Sequence, residues 1–210
     1  MSNTAKGGLI GAGGGALLGG LIGKFAGNTV VGAAVGTAVG TGAGVLIGKK
    51  MDKAKAEAAK VQNAQVEEVK DKNGLKAVKV TFDSGILFAT NKADLSSAAK
   101  TSLAKFAEVL KKNTDMDIAI YGHTDSTGTD AINDPLSLRR AQSVEGYLST
   151  CGVTSTQFKD VLGKGSKEPV ASNATAAGRT KNRRVEVYLY ASEEMIQAAQ
   201  KEAGENTGVQ

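Results

Sequence analysis

Gly122-His123-Thr124-Asp125-Ser126-Thr127-Gly128, followed by Asn133-Asp134-Pro135-Leu136-Ser137-Leu138-Arg139-Arg140-Ala141-Gln142-Ser143-Val144, is the stretch from which the rest of the chain can be read. Its first part follows an apolar run, Met116 to Tyr121, that suits a strand. Its second part opens a helix at Asp134-Pro135, with Asp as cap and Pro in the first turn, running to about Thr150 and stopping before Gly152. At about 100° per residue, Leu136, Ala141, Val144, Tyr147 and Leu148 form one apolar stripe. Arg140 falls inside that stripe and Arg139 faces water. An inward arginine needs a partner, because an unmatched buried charge costs several kcal/mol or more. Asp125, at the end of the preceding strand, can reach the same place. Two outcomes are open: Asp125 and Arg140 pair with each other and pin loop to helix, or they share a ligand that carries both charges, such as an amino acid. The glycines and small hydroxyls around Asp125 tip the balance toward a binding loop on a rigid scaffold.

Working outward, Leu75 to Phe82 alternates as a half-buried strand, and Ile86 to Phe88 is expected to continue it. Ser96 or Ser97 caps a helix whose Ala99, Leu103, Phe106 and Leu110 keep helical spacing. A short strand at 158–162 and a strong one at 184–190 complete an α+β domain, β-α-β-α-β in two layers with helices on one face. A terminal helix over 192–203 follows.

The 210 residues divide sharply in composition. Sixteen of the 27 glycines fall between Gly7 and Gly48, a stretch without Asp, Glu or Pro. They step by four from Gly7 to Gly27, slip by one, and step by four again from Gly32 to Gly48. On a helix such a step makes a bare groove for close approach of another helix. With Gly27-Asn28-Thr29 as the turn, the expected form is a glycine-zipper helical hairpin over 1–50. Each arm would be about 25–30 Å long, near the thickness of a bilayer core. A lipid bilayer or another copy of the chain, in a homo-oligomer, is its expected partner. A flexible tether is the alternative, but a tether needs no register. Residues 51–74, rich in Ala, Lys and Glu, read as a solvated helical linker, 75–191 as the globular domain, and 192–210 as terminal helix and tail.

The net charge of +5 permits attraction to anionic polymers or headgroups. Aromatics are only 4%, and no basic run alternates with stacking side chains, which argues against nucleic acid as a partner. A single cysteine, Cys151, excludes an internal disulfide. The apolar stretch after Met1 lacks the length and ending of a cleavable signal peptide. His123 stands beside Asp125 but without a nucleophile or metal-spaced partners, so it reads as a loop-fixing donor. No catalysis, cofactor or metal is expected. Gly163-Lys164-Gly165 lacks the spacing and context of a phosphate loop.

The segments GHTDSTG, N-x-x-LS-x-x-RAQSV, GKGSKEPVASN and GR-x-x-NRRVEV resemble the OmpA-like peptidoglycan-binding family, over about Val78 to Tyr190. The resemblance implies non-covalent binding of the peptidoglycan stem peptide at diaminopimelate, tethering the outer membrane to the cell wall. Asp125 would accept the ligand ammonium and Arg140 would clamp its carboxylate. Thr127, Asn133 and Arg183 match positions lining the site, and Asn91 falls near a further wall. Ala89 departs from the acidic or polar residue common at its position. With the glycine segment, the whole is similar to lipoprotein-type members of the Gram-negative envelope, at the outer membrane with the domain in the periplasm. A membrane-inserting glycine-zipper assembly, or a stator-like envelope protein, is the alternative; the latter would need an acidic residue between Lys6 and Met51, where there is none.

Overall fold

A computed structural model describes residues 39–71 and 73–204. The first arm of the expected hairpin and the start of the second, up to residue 38, lie outside them. In chain order the elements are α1 (Thr41–Ala58), β1 (Ala64–Lys70), β2 (Lys76–Asp83), α2 (Ser84–Leu87), α3 (Ser97–Lys112), β3 (Met116–His123), α4 (Asp130–Thr150), β4 (Phe158–Gly163), α5 (Ala176–Asn182), β5 (Arg184–Ala191) and α6 (Glu193–Glu202). The five strands form one sheet in the order β1-β2-β5-β3-β4. β3 and β4 are parallel, and the other neighbours are antiparallel. Val78, Val80 and Phe82 of β2, Ile118 and Ile120 of β3, and Val185, Val187 and Leu189 of β5 point to one face, where α1, α3, α4 and α6 close the main core. Phe82 meets Phe106 of α3 edge-on at 5.6 Å between ring centres. Ser96 caps α3 as expected, its Oγ accepting from the Ala99 amide at 3.0 Å.

Three local expectations are corrected. The stretch 51–74 is no solvated spacer. α1 buries Ala43, Ile47, Met51, Ala54 and Ala58, each at most 1% exposed, against the sheet and α6. β1 then pairs with β2 from Ala64↔Phe82 to Lys70↔Lys76. Its two valines mislead: Val66 joins the helix-covered core and Val69 the opposite face, so the apolar spacing of three imitates a helix while pairing makes a strand. The hairpin closes where Asp71 Oδ1 accepts from the Asn73 and Leu75 amides, with Gly74 at φ +74°. Second, Ile86 is in the one-turn helix α2, capped by Asp83, and Phe88 makes only an isolated bridge to Leu95. Third, α4 begins at Asp130, leaving Pro135 inside the helix. Pro135 forgoes one i→i−4 bond there, and Asp134 meets Lys167 at 2.6 Å instead of capping.

The glycine step also changes meaning at its end. In α1 the buried stripe runs through Ala43 and Ile47, one residue before Gly44 and Gly48, and a Cβ on Gly44 would meet nothing within 4 Å. No described helix is long and apolar enough to cross a membrane.

Candidate functional site

The C-terminal ends of β3 and β4 lie unusually close to α4. A Cβ on Gly122 would sit 2.0 Å from the Ser137 carbonyl oxygen, and one on Gly163 would sit 2.5 Å from the Leu138 nitrogen. Only glycine permits that approach. Ser137 Oγ then accepts from the Gly165 amide at 3.0 Å and donates to the Asp134 carbonyl at 2.8 Å. The helix is thereby fixed with Asn133 and Arg140 turned toward the loop after β3.

Asp125 sits on that loop, 5% exposed. Its Oδ1 accepts from the Thr127 amide at 2.8 Å, and its Oδ2 pairs with Arg183 Nη1. Burial pushes its carboxyl up, but the Thr127 amide and Arg183 outweigh this and hold it below the usual range. Asn133, 3% exposed, donates to the Asp125 carbonyl at 3.4 Å. Arg140 is 4% exposed while Arg139 is exposed, as the helical phasing places them. Its Nε donates to the Lys92 carbonyl at 3.0 Å, and its guanidinium lies over the Phe88 ring at 5.2 Å. The two terminal nitrogens of Arg140 have no partner among the described residues. Burial, and the neighbouring charge of Arg183, pull its pKa down, while Asp125 pulls it up. Asp125 and Arg140 are thus neighbours without forming an ion pair.

Of the other expected site residues, Thr127 is exposed and lends its amide to Asp125. Arg183 leaves α5 just before β5 and also donates to Thr180 Oγ1 at 2.9 Å. Asn91 is exposed at φ +58°, one residue before the Lys92 carbonyl that Arg140 holds. Asp125, Arg140, Asn133, Thr127 and Arg183 are therefore linked by contact or charge, and Asn91 joins them through its neighbour.

Two asparagines were quoted in the motifs without a role. Asn182 is fully buried; its Oδ1 accepts from the Val170 and Ala171 amides at 2.8 and 2.9 Å, and its Nδ2 donates to the Ala171 carbonyl and Asn173 Oδ1. Asn173 Oδ1 also accepts from the Ser126 amide at 3.2 Å. The chain from Ser126 through Asn173 to Asn182 ties the Asp125 loop to the residue before Arg183. The two are nine residues apart, and no local pattern in the sequence signals their contact.

Behind the loop is a dry polar cluster. His123 Nε2 lies 3.3 Å from Glu186 Oε2, Arg184 Nε donates to Glu186 Oε1 at 2.7 Å, and Tyr188 donates to Oε2 at 2.7 Å. Burial holds His123 below its ordinary value, which leaves it neutral near pH 7. Glu186 is pushed up by burial, but His123, Arg184 and Tyr188 outweigh that and hold it ionised. His123 therefore does not fix the loop as expected: it lies at the end of β3 against Glu186 of β5, and neither ring nitrogen makes a hydrogen bond among the described residues, while Arg184 is a strand-end ion pair.

The OmpA family profile matches residues 87–183, and a glycine zipper profile matches residues 3–55. The chain is similar to the peptidoglycan-binding protein ArfA of Mycobacterium tuberculosis, 42% identical over 113 residues, covering 54% of this chain and 34% of that protein. It is similar to outer membrane protein A of Bordetella avium, 38% identical over 123 residues, 59% of this chain and 63% of that protein. It therefore spans between about a third and two thirds of the length of these curated relatives. Among solved structures it resembles the cell wall anchor of the T6SS from Pseudomonas aeruginosa, with a TM-score of 0.56 and 30% identity over 68% of this chain and 97% of that one.

Proposed function

Because this chain belongs to the OmpA family through residues 87–183, we propose that it binds peptidoglycan non-covalently and tethers the outer membrane to the cell wall. The observation that carries the reading is the Arg140 guanidinium, walled in by Phe88 and Lys92, with its outer fork unpaired next to Asp125. Such a fork accepts a planar carboxylate in two parallel hydrogen bonds. The Asp125 carboxylate is held ionised and can take an ammonium. One end of diaminopimelate carries both groups on one carbon, which fits two opposite charges on adjacent elements. Thr127, Asn133 and Arg183 shape the rim, and Asn91 lies at its far wall.

Binding rather than catalysis is the proposed role. The proposed placement is the outer membrane, with the domain in the periplasm and outer-membrane lipid as the partner of the glycine segment. Relatives called outer membrane protein and outer-membrane lipoprotein support that placement. Association of the segment with further copies of itself is the second reading, supported by the glycine zipper match over 3–55.

The test is co-sedimentation of the full chain with purified peptidoglycan sacculi. Asp125→Ala and Arg140→Ala should each lose sedimentation while keeping an unchanged circular dichroism spectrum. Retention of binding by both variants would overturn the assignment.

A further inference from the structure

The side of α1 that faces away from the core has an unbalanced charge. The buried side chains of the helix are Ala43, Ile47, Met51, Ala54 and Ala58. Opposite them, in a sector about 80° wide at 100° per residue, stand Val45, Lys49, Lys53 and Ala56. Lys60 follows just past the C-cap at Ala59. All five are exposed, and Val45 is more than half in water at 52%. The helix has two acids, and both are taken. Asp52, at the margin of the sector, meets Lys76 at 2.8 Å, and Glu57 meets Lys112 at 3.8 Å. Lys50 and Lys55 are likewise engaged, by Asp115 and Glu68. Lys49, Lys53 and Lys60 make no ion pair among the described residues. Their positive charges project from one side of one helix with no acid to answer them.

We propose that this sector of α1 rests on an anionic phospholipid surface, with Lys49, Lys53 and Lys60 on headgroup phosphates and Val45 at the apolar boundary beneath them. Charge complementarity favours that partner. Lysine stems are long and the residues between them are small, so the ammonium groups reach the phosphates while the helix lies close. Continuity favours it as well. The sector follows directly on a stretch, Gly7 to Gly48, that holds no Asp or Glu. An apolar stretch joined to a short basic patch makes the two signals that stable surface attachment takes. The sector also has no aromatic side chain on which bases could stack, which disfavours nucleic acid as the polyanion. Finally, the placement leaves the Asp125 site free. Lys50, next to Lys49, pairs with Asp115 just before β3 begins. Asp125 follows the other end of that strand, eight residues or about 25 Å away. The inference rests on the lipid reading of the glycine segment and deepens it, carrying the contact into the folded domain.

The experiment is sedimentation of the full chain with lipid vesicles at low salt, comparing neutral phosphatidylcholine with a mixture that contains phosphatidylglycerol. Each lysine close to an anionic surface adds about fivefold to binding. The anionic vesicles should therefore bind on the order of a hundredfold more tightly, and the gain should collapse in about 0.5 M salt. Lys49→Gln/Lys53→Gln/Lys60→Gln should lose most of the gain with an unchanged circular dichroism spectrum. Lys100→Gln/Lys105→Gln/Lys181→Gln removes the same charge from exposed positions that also lack an ion pair, and should keep it. Equal affinity for neutral and anionic vesicles, a gain that survives in the α1 variant, or the same loss in both variants would each overturn the proposal. Sedimentation with sacculi should be unchanged in the α1 variant. A loss there in place of the loss on vesicles would assign the lysines to the cell-wall polymer and overturn the lipid surface as partner. Neutral vesicles test the glycine segment and sacculi test Asp125 and Arg140, so the three readings fail separately.

Discussion

Arg183, and not Arg140, holds the carboxylate of Asp125. The two arginines divide the work: Arg183, at the partly exposed rim, keeps Asp125 charged, while Arg140 is kept apart by Phe88 and the Lys92 carbonyl. An ammonium arriving at Asp125 must therefore share it with Arg183 or displace it.

Removal of Arg183 is expected to raise the Asp125 pKa toward the ordinary carboxylate value, since the Thr127 amide then acts alone against burial. Carbon-detected NMR titration of Arg183→Met would measure this. Asp125 is buried, so the variant leaves its carboxylate short of a partner, and chemical denaturation should show a loss of about 1–3 kcal/mol. An unmoved Asp125 titration would contradict the assigned role.

Gly122→Ala should be among the most damaging single-methyl changes in the chain. The added carbon would lie 2.0 Å from the Ser137 carbonyl, against backbone that cannot swing aside. Overpacking of this kind costs about 1–3 kcal/mol or more, and it pushes α4 away from the Asp125 loop. Urea denaturation should show the loss, and sacculus sedimentation should weaken along with it. Gly146→Ala, where the new carbon meets nothing within 4 Å, is the matched control.

Acid should destabilise the domain in two stages. The folded His123 pKa lies below 6.5, so the unfolded chain takes up a proton first and stability falls as pH drops below about 6.5. Glu186 is depressed from 4.5, so its contribution is present above that value and is lost as pH falls further. Asp117 acts in the opposite sense: raised from 3.8 to about 6, it costs stability as pH rises through that window. Melting temperatures from pH 8 to 3 should show that Glu186→Gln is destabilised by about 3–5 kcal/mol at neutral pH, because Arg184 loses its buried counter-charge. Asp117→Asn should instead melt higher than the parent above pH 6 and equally at pH 3.5.

The strands β2, β3 and β5 and the helix α3 were legible because each carries one uninterrupted period and ordinary caps. Arg140 was legible for the same reason, since phasing alone separates it from Arg139. β1 was not, because Glu67, Glu68 and Lys70 make an edge strand polar and its two valines serve opposite faces. The start of α4 was hidden by Asp134-Pro135, a good opening signal overruled by packing against β3 and β4. Pairing of Asp125 with Arg183 joins residues 58 apart in sequence. It depends on where Asn173 and Asn182 hold a loop, and no local period reports that.

Folding Thr41–Ala58 into the domain has a mechanical result. A free helix over 51–74 would have been a spacer about 36 Å long. Instead Thr41–Ala58 and Ala64–Lys70 belong to the folded body, so residues 51–70 add no slack of their own. A pull on the chain at Thr41 is met at once by the buried contacts of Ala43, Ile47 and Met51, and the chain on that side can lengthen only by peeling α1 from the sheet.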